Sequence, residues 1–210
     1  MTSANYNTAF GYQALSAETV GHAATAFGDR ALGLQNKGSD ANTQNTGIGF
    51  FAGYNNVTGT NNTYVGFEAG KGGTGNNSSN VGVGMQALLS ITTAAETVMV
   101  GHLAGDAITT GGSNTGLGKG ALGTTQAGSR MVGVGQGALG GGNITSKHSV
   151  AVGMDAGYSL TSGNLVAMGY NAAVALTTGT DNTIIGSGSL LTSVDGVGNT
   201  AVVALSFKTY

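Results

Sequence analysis

Gly116, Gly118 and Ala121, in the stretch NTGLGKGAL at residues 114–122, carry the G-x-G-x-x-A spacing that lets a strand-to-helix turn approach a dinucleotide pyrophosphate. The motif is not alone: GIGFFA (47–52), GVGMQA (82–87) and GVGQGA (133–138) repeat its spacing. A dinucleotide site needs its second glycine to open a helix behind a buried strand, with an acidic residue about 20 positions later for the ribose. No copy is followed by an amphipathic helix. The chain runs instead through segments such as GTTQAGSR and GNNSSN, which are poor helix formers. Four copies without a helix indicate a structural repeat rather than a phosphate cradle.

Other residue types able to do chemistry are sparse. His22, His102 and His148 are the only histidines and occupy different places in the repeat, so they read as surface residues rather than a ligand cluster. The nine acidic residues are scattered singly, without the paired carboxylates of a glycosidase. Carboxylates assembled across coils, Asp29 with Glu68 or Asp155 with Asp181, would be the route to a polysaccharide depolymerase. A calcium-binding nonapeptide repeat needs an Asp in every G-G-x-G-x-D unit, a pattern this sequence lacks. Asn-x-Thr/Ser sequons at Asn56, Asn61, Asn76, Asn77 and Asn143 follow from the loop composition. With no cysteine there are neither disulfides nor thiolate metal sites. The expectation is a non-enzyme with no catalytic, cofactor-binding or metal-binding residues.

Composition narrows the class further. Among 210 residues there are 40 glycines and no proline or tryptophan, which argues against an ordinary compact core. Collagen would need glycine at every third position and abundant proline. Only 8% of residues are charged and the net charge is −2, against both a disordered polyelectrolyte and a nucleic-acid partner. No apolar run approaches the roughly 18 residues of a membrane span. MTSANYNTAF has no basic start followed by an apolar stretch, so a soluble chain without its own export signal is expected.

The elements that position these residues follow from the repeat. Its second glycine recurs as Gly11, Gly28, Gly49, Gly66, Gly84, Gly101, Gly118, Gly135, Gly153, Gly169 and Gly186, with Val203 in the equivalent place at the end. Steps run from 16 to 18 residues except for one of 21, whose extra residues fall in LQNKGSDANTQ (34–44), a polar segment expected to bulge. A short fixed period means stacked units, each too small to fold alone. Ordering one unit costs about 17–34 kcal/mol at ~1–2 per residue. A few buried Val, Ile or Leu side chains return only about 1.5–3 kcal/mol each. Coils must therefore share hydrogen bonds and apolar faces.

Each unit reads N-T-x-Φ-G-x-x-A, with Φ apolar. The Φ column, Phe10, Phe27, Ile48, Val65, Val83, Val100, Leu117, Val134, Val152, Met168 and Ile185, has no polar member. Two residues earlier stands only Thr or Val, and a spacing of two with β-branched residues is strand chemistry. Both columns are expected on an inner face, with the small residue between them pointing outward toward a subunit interface. Three residues after the glycine stands alanine, from Ala14 to Ala172, with Ser189 the exception. A second short strand is expected where this alanine leads into LLSITT (88–93), AITT (107–110), SLTS (159–162) and VALTT (174–178).

The column just after the glycine is variable and rich in large side chains: Tyr12, Phe50, Phe67, Met85, His102, Lys119, Met154 and Tyr170. It is the candidate surface ligand-contact or interface column. Aromatic rings there could stack on sugars or seal an interface, and Phe50 and Phe67, on successive coils, are expected to stack on each other.

Two segments carry a resemblance. HSVAVGMDA (148–156) resembles the N-S-V-A-I-G-x-x-S repeat of trimeric autotransporter adhesin heads, the YadA-like family. NTAFGYQAL (7–15) and ATAFGDRAL (24–32) resemble repeats of bacteriophage tail-fibre and structural proteins. The resemblance covers about residues 5–205, in phase with the repeat. It implies a left-handed parallel β-roll, three chains side by side as a homotrimer, and an elongated attachment module on a virion tail fibre or other extracellular surface.

The expected fold is thus all-β: a single β-solenoid domain over residues 1–210, with about 11–12 coils of ~17 residues. Its implied partners are other virion or fibre proteins and a host surface glycan or protein, with no nucleic acid. The period is longer than is usual in autotransporter heads, and neither neck, stalk nor membrane anchor is seen. A phage fibre is therefore favoured over a bacterial adhesin head. An ice-binding solenoid, suggested by the many threonines, and a depolymerase rank below both.

Overall fold

The computed structural model describes residues 4–145 and 147–202; Val203, the last place in the repeat, lies outside them. Twelve short strands follow one another: β1 (Thr8–Phe10), β2 (Thr25–Phe27), β3 (Thr46–Ile48), β4 (Thr63–Val65), β5 (Val81–Val83), β6 (Val98–Val100), β7 (Thr115–Leu117), β8 (Val132–Val134), β9 (Val150–Val152), β10 (Leu165–Met168), β11 (Asn182–Ile185) and β12 (Thr200–Ala201). They form one parallel sheet in chain order, and no helix occurs among the described residues. The chain is a parallel β-solenoid. Like stacks on like, as in Thr8↔Thr25 and Phe10↔Phe27. The 21-residue step leaves the register intact, with Thr25↔Thr46 and Phe27↔Ile48, because its extra residues leave the coil and Gly38 to Asp40 are exposed.

The faces of the sheet are the reverse of the sequence expectation. From β2 to β11 the strand residue between the two columns points inward: Ala26, Tyr64, Met99, Ala151, Ala167 and Ile184 are all fully buried, whereas Ala9 in the end strand β1 is exposed. The Thr/Val and Φ columns point outward, with Phe10 66% exposed, Phe27 54% and Leu117 50%. The reason is the thinness of the interior. An ideal Cβ on Gly47 would stand 2.9 Å from Leu32 Cγ and 3.0 Å from the Ala52 carbonyl oxygen, so the opposite side of the coil is already in contact. Where the strand points its largest residues inward, Tyr64 and Met99, the facing positions on both neighbouring strands are glycine. A Cβ on Gly70 would lie 2.1 Å from the Tyr64 ring, and one on Gly116 2.4 Å from Met99 Sδ. Small residues between the two apolar columns are therefore core, and the apolar columns are surface.

The repeat glycine turns the corner after each strand. Its φ is +132° at Gly11 and +143° at Gly101, outside the usual range of residues with a Cβ. A Cβ at either place would stand 2.4 Å from the carbonyl oxygen of the next coil's glycine. Conformation and close approach both require glycine.

The expected second strand does not form. Two and four residues after the glycine the backbone is left-handed, as at Gln86 (φ 57°) and Leu88 (φ 55°), so the segment is a run of turns. It still joins the coils. Leu88 N–H donates to the Ala104 carbonyl of the next coil at 3.0 Å, while Gln86 N–H donates to the Phe67 carbonyl of the preceding one at 2.8 Å. The alanine between them is buried in successive coils, from Ala31 to Ala172, with Ser189 taking the same place.

Just before the strand, the asparagine of the consensus is buried and acts as an inner brace. Asn62 Nδ2 donates to the Asn77 carbonyl across its own coil at 2.9 Å and to Asn45 Oδ1 of the preceding coil at 3.2 Å. Asn62 Oδ1 in turn accepts from Asn80 N–H at 3.0 Å and Asn80 Nδ2 at 3.1 Å. Partial copies stand at Asn7, Asn114 and Asn182. Each amide closes a coil and ties it to the next.

Candidate functional site

The variable column after the glycine sits at the corner beyond the sheet. Tyr12, Phe50, Phe67, Met85, Lys119, Met154 and Tyr170 are exposed and His102 is half-buried. Phe50 and Phe67 stack as expected, ring centroids 5.4 Å apart and planes at 5°. Phe10 and Phe27, in the neighbouring outward column, stack at 4.9 Å. The column is spread over ten coils and forms a ridge along the rod, not a single site.

Beyond the corner, the outward positions two and five residues after the glycine make a second lateral face. In the first coils it is filled by an aromatic and cationic cluster. Arg30 lies 5.3 Å from the centroid of Tyr12 and 5.2 Å from that of Phe51, Lys71 lies 5.1 Å from Phe51, and Tyr54 meets Phe51 edge-on at 4.7 Å. Such contacts stabilise by about 0.5–1 kcal/mol each where solvent reaches them. This cluster is not legible in the sequence, because its members lie on different coils and only the stacking of the coils brings them into one row.

Of the carboxylates considered for a depolymerase, Asp29, Glu68 and Asp181 have other partners. Asp29 pairs with Arg30 at 3.2 Å, while Glu68 accepts from Lys71 at 2.7 Å and Gln86 at 2.9 Å. These two donors, Lys71 first, hold the Glu68 carboxyl below its ordinary value. Asp181 accepts from Asn164 at 3.0 Å. Asp106, on the second lateral face, has its carboxyl raised by burial, against the opposing pull of backbone N–H groups and His102. The histidines are separate: His22 pairs with Asp40 and accepts from Asn5 N–H, His102 lies in the corner column and His148 is exposed beside the sheet.

Glu18 is the one acidic residue that is buried among the described residues. Its Oε1 accepts from the N–H groups of Thr19, Val20 and Gly21, and its Oε2 from Gln35 Nε2. This is a structural carboxylate that closes a turn. No group of three or more His, Cys, Asp or Glu able to hold a metal ion occurs among the described residues. No helix among them is long and apolar enough to cross a membrane. Comparison of the chain with protein-family models, curated proteins and solved structures gives no match.

Proposed function

We propose that this protein is a non-enzymatic, elongated module of a phage tail fibre or similar surface fibre, which spaces or mediates attachment to a host as a side-by-side homotrimer. The observation that carries this reading is the outward face of the sheet. Its two columns hold Thr or Val and Phe, Ile, Val, Leu or Met over eleven coils, with no charged residue. At about 4.8 Å per coil and 3.3 Å per residue, the three-residue width of the strands over these coils measures on the order of 500 Å². That is as large as the biggest apolar patch left open on a typical monomer, about 300–600 Å².

Second and third copies of the same chain are the natural cover, since a strip with one period along its length fits another with the same period. The motif resemblance to tail-fibre and YadA-like repeats supports the same assembly. Attachment would then come from weak, loop-borne contacts multiplied over three chains. Sedimentation equilibrium tests the assembly: the expected mass is three times the 20.5 kDa of one chain. Combined Phe27→Glu, Leu117→Glu and Val152→Glu should convert the trimer to monomer. A wild-type chain that stays folded and monomeric at micromolar concentration overturns the trimer. Electron microscopy of the particle carrying the chain tests the fibre.

One observation favours a second reading. The Thr/Val column faces solvent, with Thr8, Thr25, Thr46 and Thr63 in register on successive strands, and an outward threonine rank is what an ice-binding face requires. The adjoining column runs Phe10, Phe27, Ile48 and Val65, uneven in size, which keeps this reading second. Thermal hysteresis at millimolar concentration would move it to first.

A further inference from the structure

The second lateral face changes character in the middle of the rod. Two and five residues after the repeat glycine, other coils carry pairs such as Phe51 with Tyr54, Glu68 with Lys71 and Leu103 with Asp106. In the Gly118 and Gly135 coils alone, both positions are glycine: Gly120 with Gly123 and Gly137 with Gly140. The outcome is an open notch of about 420 Å³, two coils tall.

Its floor is backbone, because a Cβ on Gly120 would meet nothing within 4 Å. Side chains from the coils on either side lean over that floor. Asp106 Oδ1 comes within 3.2 Å of the Cβ position of Gly123, and Asp155 Oδ1 within 2.1 Å of that of Gly137. The Tyr158 ring overhangs Gly141, with Cε1 2.1 Å from its Cβ position. Lys119 and Gln136 stand on the rim toward the sheet, and Leu103 and Val174 also line the notch.

The lining therefore offers two carboxylate acceptors, an ammonium and an amide as donors, and one aromatic ring. A ligand that suits all of them is a ring with hydroxyls around its edge and C–H groups on its face. An acidic ligand would face two carboxylates against one ammonium. A cavity of this size with few, convergent polar groups fits a small ligand.

We propose that the notch binds a neutral pyranose unit of a surface glycan, with its C–H face on Tyr158. Its hydroxyls donate to Asp106 and Asp155 and accept from Lys119 and Gln136. The inference deepens the attachment part of the fibre reading and rests on it for the source of the glycan.

Saturation-transfer NMR on the full chain tests it, with methyl glucoside, methyl galactoside, methyl mannoside and glucuronic acid as probes, each at about 10 mM. At least one neutral glycoside should bind with a Kd of about 1–10 mM, and glucuronic acid should bind at least roughly tenfold more weakly. Gly120→Gln should abolish the signal by filling the floor. Gln13 and Gln86 hold the same position at φ 51° and 57°, close to the 63° of Gly120, so the coil can accept this residue. Tyr158→Ala should weaken binding by at least about tenfold. No transfer to any neutral glycoside, equal binding of glucuronic acid, or unchanged binding by both folded variants would overturn the proposal. The two readings fail separately: a trimer that binds no glycoside loses the notch and keeps the fibre, and a monomer that binds one loses the trimer and keeps the notch.

Discussion

Seven residues after the repeat glycine, the first three coils bury Glu18, Gln35 and Asn56, whereas later coils bury Ile91, Ile108, Thr125, Leu160 and Leu176 at the same place. Glu18 and Gln35 of the first group are wired together. Gln35 donates to Glu18 and to Thr43 Oγ1, both at 3.1 Å, and accepts from Asn45 Nδ2 at 2.8 Å. The second is aliphatic but for Thr125, and the apolar core runs without interruption from Ala52 to Ala201. Leu15, Ala24, Ala26, Ala31 and Leu32 form a separate small cluster on the N-terminal side. In this column the same backbone thus encloses polar side chains at one end and mostly aliphatic ones along the rest. What the two regions share, glycine at the corner and alanine three residues later, defines the coil. The deep interior column needs only to be filled, since Asn56 Oδ1 and Thr125 Oγ1 are buried there with no hydrogen-bond partner among the described residues.

That conclusion is broken most directly at the corner. Gly28→Ala and Gly101→Ala should cost alike, at least about 4 kcal/mol or complete loss of folding, since each sets a Cβ into the next coil's backbone. Urea unfolding followed by circular dichroism measures both. A mild effect at Gly28 with a severe one at Gly101 would mean that the polar end obeys a different backbone rule.

The interior braces should separate the two regions. Asn62 is bonded to Asn45, Asn77 and Asn80, whereas Asn114 makes one bond to the Gly128 carbonyl and accepts one from Met131 N–H. Asn62→Ala should therefore cost about 3 kcal/mol and Asn114→Ala about 1.5, at roughly 1 kcal/mol or more for each partner left unpaired. Equal losses in urea unfolding would show that the ladder adds nothing beyond the bond that closes each coil.

The period, the parallel stack, the place of the bulge and the Phe50–Phe67 stack were all legible in the sequence, because each depends on residue spacing alone. The side of the sheet was not. Hydrophobicity assigned Phe10 and Leu117 to the core, but a coil of this size has an interior about one side chain deep, which Ala26 or Ala151 already fills. The readable signal was size: Tyr64 and Met99 break the small column, and glycines compensate beside them at Gly70 and Gly116. The asparagine of the consensus was visible too, though its role depends on a carbonyl about 14 residues away that only the closed coil brings near. The notch was hidden because it consists of missing side chains, and glycine is common everywhere in this chain.

On the outer face, Phe51 fills the row that glycine leaves open around Gly120. Phe51→Ala removes edge contacts to Phe50 and Tyr54 and the ring under Arg30 and Lys71. The expected loss is about 1–1.5 kcal/mol in thermal or urea unfolding. A neutral result would mean that the cluster only covers the surface, and that the two ends of this face differ in shape without differing in energy.

The smallest effect has opposite signs in the two regions. Lys71 and Gln86 hold the Glu68 carboxyl below its ordinary value. As pH falls, the unfolded chain therefore takes up this proton first. The contribution of Glu68 is full above its unfolded value of about 4.3 and disappears as pH drops through the folded one. Asp106 is raised by burial, so the folded chain takes up its proton first; that contribution is full at low pH and disappears as pH rises through the folded value. Glu68→Gln should flatten the acid loss of stability and cost less than about 1 kcal/mol at neutral pH, because the pair is reached by solvent. Asp106→Asn should leave neutral-pH stability unchanged or higher, and should remove a gain on the acid side. Unfolding series from pH 3 to 7 would read both slopes. Equal slopes would show that local burial differs less between the filled row and the open notch than their shapes suggest.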